Sequence, residues 1–137
     1  MFTNIQQSFS ALFSPKLSKL HQIALWSAII SISYLATTSV EHKVQSTFND
    51  KFNHLIAFMV LSFLTHVAYP KIQKLKWATA LFFYGLLIEC VQYFLPHREF
   101  SLFDLTTDLL GIIVYLIIFC SFFDRFLNKK SPPNTPH

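Results

Sequence analysis

Between residues 84 and 111, Glu89, Gln92, Arg98, Asp104 and Asp108 interrupt otherwise apolar runs, and Lys51 and His54 enter an earlier apolar run in the same way. Carboxylates, an imidazole and two cations suit three kinds of chemistry. In one, Lys51 and Arg98, with Gln92, Asp104 and Asp108 around them and a helix N-terminus helping, bind an anionic molecule while Glu89 or His54 serves as acid or base. In a second, the same charges form a structural or regulatory network in a protein that binds a partner protein. A metal site from His54, Glu89 and Asp108 is the third reading. No pair among them has dedicated zinc spacing, so no metal and no cofactor are expected. Whether the site catalyses a reaction stays open.

Charged residues in apolar runs need elements that shelter them. The 137-residue chain is 53% hydrophobic, 17% aromatic and only 13% charged, far from the roughly 25% charged composition of soluble domains. It reads as one all-α membrane domain. The net charge of +4 comes from basic residues at the ends of apolar runs, which is a topology signal rather than a nucleic-acid patch, and no nucleic-acid partner is expected. There is no Gly-rich phosphate loop, CxxC, HExxH or internal repeat.

The pattern predicts a four-transmembrane-helix bundle with an N-terminal interfacial helix. In residues 1–14, Phe2, Ile5, Phe9, Leu12 and Phe13 recur at helical spacing among Asn4, Gln6, Gln7 and Ser8, as in an amphipathic segment lying in the interface; a frayed tail is the alternative. Ser14-Pro15 supplies an N-cap and an N1 proline for a first span that continues through Ile23–Ala36. A cleaved signal peptide fits less well, because no A-x-A site follows. Asn49-Asp50 can cap a second helix from Lys51 to Tyr69, stopped by Pro70. A third span covers Trp77 to Leu95, a fourth about Phe103 to Phe126. The membrane domain therefore occupies 15–127, and 128–137, with three prolines and two lysines, forms a disordered tail.

Lysine and arginine set the orientation. Two precede the first span, three lie in the loop from Lys71 to Lys76 and three near the C-terminus, so eight fall on the side of both termini against three (Lys43, Lys51, Arg98) on the other. The positive-inside rule places both termini in the cytoplasm. Lys51, His54, Glu89, Asp104 and Asp108 then share one depth toward the outside, with Glu89 roughly 10 Å and Asp108 roughly 8 Å below the outer helix ends. Helical spacing puts Gly85, Glu89 and Gln92 on one face and Asp104, Asp108, Gly111 and Tyr115 on another. Both glycines lie on these charged faces, so the faces are expected to meet. Ser27, Ser31, Tyr34 and Thr38 form a matching stripe on the first span. Cys90 and Cys120 differ in depth by roughly 15 Å at helical rise, beyond disulfide reach, so both are expected to be thiols.

Each polar residue also has a plainer role. Asp104 fits a capping box with Ser101, and Asp50 fits a simple cap. Gln92 suits a bridge between helices, Arg98 an interfacial snorkel and His54 an interfacial imidazole. Glu89 is too deep for an equally plain account. As three acids converge, Asp108 should be balanced by a cation from another helix or loop, with Arg98 the first choice for its forked donors, ahead of Lys51 and His54.

Asp50-Lys51-x-x-His54, Glu89-x-x-Gln92, Arg98 six residues before Asp104, and Gly111 together resemble the VanZ-like family of small bacterial membrane proteins over about residues 47–120. The resemblance implies a multi-pass protein of the bacterial inner membrane, in a family named for low-level teicoplanin resistance and without an assigned reaction. Its polar positions carry over to Asp50, Lys51, His54, Glu89, Gln92, Arg98, Asp104 and Gly111. Asp108 stands where the family usually has Asn, and Tyr115 near where it has a second glycine. The implied partners are the lipid bilayer and an anionic lipid-linked or other envelope molecule. Transport by one protomer is disfavoured because four short helices enclose little pore; a homo-oligomer would change that.

Overall fold

The computed structural model describes residues 14–38, 47–96 and 100–122, and within them every regular element is helical. Four helices follow in chain order: α1 Pro15–Thr37, α2 Thr47–Ala68, α3 Lys74–Tyr93 and α4 Leu102–Val114, the last running on as a π-helix over Tyr115–Cys120. The sequence places α1 where its start signals are. Ser14 is the N-cap, its hydroxyl accepting from the Lys16 amide at 3.4 Å, and Pro15 opens the helix. Pro70 follows the end of α2, where no further backbone N–H can continue the ladder.

One boundary is corrected. Helix α2 begins at Thr47, so Asn49 and Asp50 stand inside its first turn and do not cap a helix starting at Lys51. The proposed interfacial helix, the loop carrying Lys43, Arg98, and the C-terminal tail lie outside the described residues.

The helices run up and down in turn. Ser18 near the start of α1 donates to the Ala68 carbonyl at the end of α2, and Gln92 near the end of α3 donates to Ala36 near the end of α1, which makes α1 antiparallel to α2 and parallel to α3. Lys51 faces Asp104 and His66 faces Tyr115, so α2 and α4 run parallel. Residues 14 and 122 therefore sit at one end of the bundle. Helix α2 is the centre, packed on α4 and α1 most extensively and on α3 as well. Phe58, Leu61, Ala68, Trp77, Leu81, Ile112 and Tyr115 fill the core, with Leu25 reaching in from α1.

Outside that core the surface is apolar. Ile23, Trp26, Ile30, Phe83, Leu87, Leu110 and Ile117 are exposed, an inside-out distribution that suits acyl chains rather than water. Three helices are long and apolar enough to cross a bilayer, over Lys16–Thr37, Lys51–Ala68 and Leu102–Phe119. Helix α3 has 20 residues, enough for a roughly 30 Å hydrocarbon layer at 1.5 Å per residue, but Lys74, Lys76, Glu89 and Gln92 lower its apolarity.

The serine stripe on α1 points the other way from its expected orientation. Ser27, Ser31 and Tyr34 are exposed, whereas Leu25 is buried and Ala28, Ile29 and Ile32 pack on the core. Ser33 supplies the polar contact instead, 2.9 Å from the Tyr84 hydroxyl, which also donates to the Ile29 carbonyl. Lipid is as apolar as leucine, so polarity alone does not tell a protein-facing from a lipid-facing stripe.

Candidate functional site

Lys51 and His54 are one turn apart on α2, and Asp104 and Asp108 one turn apart on α4. Parallel packing lines these pairs up as two rungs. Lys51 Nζ lies 3.2 Å from Asp104 Oδ1, and His54 Nδ1 lies 2.9 Å from Asp108 Oδ1. The outer rung is partly open, with side-chain exposures of 34% for Lys51 and 13% for Asp104. The Lys51 ammonium also stands 5.4 Å from the centre of the Phe103 ring, within cation–π range. One turn deeper, Asp108 is 1% exposed.

Close approach of the helices depends on the chain's two glycines. A Cβ at Gly111 would come within 2.6 Å of the Leu55 carbonyl oxygen on α2, so no larger residue fits there without moving a backbone. A Cβ at Gly85 would meet Asp108 Oδ2 at 2.8 Å. Gly85 thus admits the carboxylate of α4 against the α3 backbone. The expectation that both glycines mark helix contacts holds, with the difference that Gly111 approaches α2 rather than α3.

Glu89, fully buried on α3, completes the group. Its Oε2 accepts from the backbone N–H of Ser101 at 2.8 Å, immediately before α4. The Ser101 hydroxyl in turn accepts from the Asp104 amide at 3.2 Å. This is half of a capping box; the carboxylate that reaches the N-cap amide comes from Glu89 of another helix, leaving Asp104 for Lys51. Glu89 therefore stabilises the α4 start through both a hydrogen bond and the positive end of the helix dipole.

Two carboxylate oxygens in this layer, Glu89 Oε1 and Asp108 Oδ2, are buried with no hydrogen-bond partner among the described residues. His54, Glu89 and Asp108 each present one potential ligand atom, all within 4.8 Å of one another. Of the other candidates, Gln92 is directed to α1, donating to Ala36 at 3.1 Å, which is the bridging role. Arg98 lies outside the described residues, and the cation-capable partner of Asp108 among those described is His54.

Sequence reasoning missed a second polar group at the opposite end. His66 Nδ1 is 2.9 Å from the Tyr115 hydroxyl, and the two rings meet Trp77 at about the same centroid separations, 6.3 Å and 6.1 Å. The face of α4 carrying Asp104, Asp108, Gly111 and Tyr115 pointed to it. His66, at the end of an apolar run, reads as interfacial until Tyr115 is seen opposite it.

A helical bundle with an apolar exterior and a partly buried cluster of acids, lysine and histidine is a membrane protein with a polar site between its helices. The chain belongs to the VanZ/LLP1 family, whose model matches residues 2–124. No curated protein and no solved structure matches it.

Proposed function

We propose that the chain is a four-span protein of the bacterial cytoplasmic membrane, both termini cytoplasmic, whose polar site opens outward to an anionic envelope molecule and so affects susceptibility to glycopeptides such as teicoplanin. The observation that carries the reading is the partly exposed Lys51 at the outer rung, held between Asp104 and the Phe103 ring. A phosphate or carboxylate arriving there competes with one carboxylate for an ammonium that is already positioned, next to the N-terminus of α4. Family membership supports the envelope setting. The internal pairing of Lys51 with Asp104 and of Glu89 with Ser101 favours a second reading, a non-enzymatic structural or regulatory membrane protein that binds a partner membrane protein.

Complementation separates the two. A deletion strain is expected to change its teicoplanin susceptibility, to recover with the native chain, and to fail with Lys51→Gln or Glu89→Gln variants that accumulate to native levels. Equal rescue by all three would leave only the structural reading; no change on deletion would remove the glycopeptide role.

A further inference from the structure

We propose that His54, Glu89 and Asp108 bind one divalent first-row transition-metal ion, Zn2+ or Mn2+, between α2, α3 and α4. The inference stands on these three side chains and does not depend on the nature of the envelope molecule.

The first argument is placement. Three residues that are 35 and 19 positions apart along the chain bring ligand atoms within 4.8 Å of one another, and the His54 and Asp108 atoms already sit 2.9 Å apart. Ligands about 2.0–2.2 Å from a shared ion lie roughly 3 to 3.6 Å from each other, so side-chain rotations of roughly 1 Å complete the set. The backbone need not move.

The second is polar accounting. Glu89 is 0% and Asp108 1% exposed, and each keeps one oxygen with no hydrogen-bond partner among the described residues. Buried acceptors left unmatched are costly, and two in one small volume point to a ligand that both can hold. Glu89 is already held through Oε2 by the Ser101 amide, a contact of the kind that orients a metal ligand. The hydrogen bond between His54 Nδ1 and Asp108 Oδ1 gives way when both side chains ligate the ion.

Charge gives the third. Two carboxylates in this layer carry two negative charges when ionised, and Lys51 is committed to Asp104 one turn above. A divalent ion neutralises both at once. One imidazole with two carboxylates suits Zn2+ or Mn2+, whereas Mg2+ and Ca2+ prefer oxygen ligands alone. At Gly85 the missing side chain leaves room for Asp108 Oδ2, which a Cβ there would meet at 2.8 Å. From sequence the same three residues made only the third reading, because zinc spacing is a local signature and these ligands come from three helices.

The test uses the full chain in lipid nanodiscs, stripped with chelator and titrated with Mn2+ while the electron paramagnetic resonance signal of free Mn2+ is followed. One Mn2+ per chain is expected, displaced by stoichiometric Zn2+ and retained against equal Mg2+. His54→Gln, Glu89→Gln and Asp108→Asn should each weaken binding at least tenfold, and His21→Ala should bind as the native chain does. Spin-echo modulation of the bound Mn2+ should show one directly coordinated imidazole nitrogen, a readout on the native chain that survives any misfolding of the variants. Absence of saturable binding, binding unchanged in the Glu89 or Asp108 variant, or a bound ion without nitrogen coupling would overturn the proposal. Metal binding and teicoplanin susceptibility are measured separately, so either can fail alone.

Discussion

His54 and Asp108 form the pair on which the deeper rung depends, and their burial decides what its loss costs. Asp108 is almost inaccessible, and truncating its partner leaves a buried acid without the contact at 2.9 Å. Stripping one member from a buried pair costs about 3–5 kcal/mol, more than replacing both with neutral groups. His54→Ala should therefore lower accumulation and the thermal midpoint in detergent, and adding Asp108→Asn should recover part of both. A double variant no better than His54→Ala would show that the pair is not what holds the layer. The outer rung behaves differently, since Lys51 is one-third exposed. A double-mutant cycle on Lys51→Ala and Asp104→Asn should give a coupling of about 1 kcal/mol or less. That Asp108 needs a partner from another helix was legible from three converging acids. His54 was one of the candidates, and its selection among the described residues depends on the lateral register of α2 against α4, which sequence spacing does not carry.

Helix register rests on the places where side chains are missing. Gly111 lies against the Leu55 carbonyl, and a methyl group there would require the α2 or α4 backbone to give way. Overpacking of this kind costs about 1–3 kcal/mol. Gly111→Ala should lower the thermal midpoint and weaken both rungs together, which would appear as a smaller Lys51–Asp104 coupling. An unchanged midpoint would mean that the two helices separate freely. Ser101→Ala removes the hydroxyl that accepts the Asp104 amide but leaves the Glu89 contact to the Ser101 N–H, so a loss of about 1 kcal/mol is expected, the ordinary value of one cap. At this scale much was legible: Ser14-Pro15 at the start of α1, Pro70 after α2 and the polar faces of α3 and α4 are local signals. The orientation of α1 was not, since Ser27 and Ser31 tolerate lipid when their hydroxyls can bond to their own helix, and packing of Leu25 and Ile32 on the core turned the helix.

The alternating helix directions bear on how the whole molecule sits in a membrane. Contacts place residue 14 and residue 122 at one end and the two rungs at the other, as the proposed four spans require. Helix α3 is the decisive element. Its Glu89 and Gln92 make it less apolar than its neighbours, yet both are buried and hydrogen-bonded, so neither meets acyl chains and the usual cost of about 2.5–3.5 kcal/mol for a central acid is reduced. The proposed crossing by α3 rests on that shelter. In the proposed topology the lysines and arginines, eight against three, put the end with the termini on the cytoplasmic side. A reporter active only outside the cytoplasm should be silent when fused after Lys76 or Lys130 and active when fused near Lys43 or Arg98. Equal signals at Lys76 and Arg98 would show that α3 does not cross, while reversal at all four positions would keep the bundle and turn the polar site toward the cytoplasm, beyond reach of an outer envelope molecule.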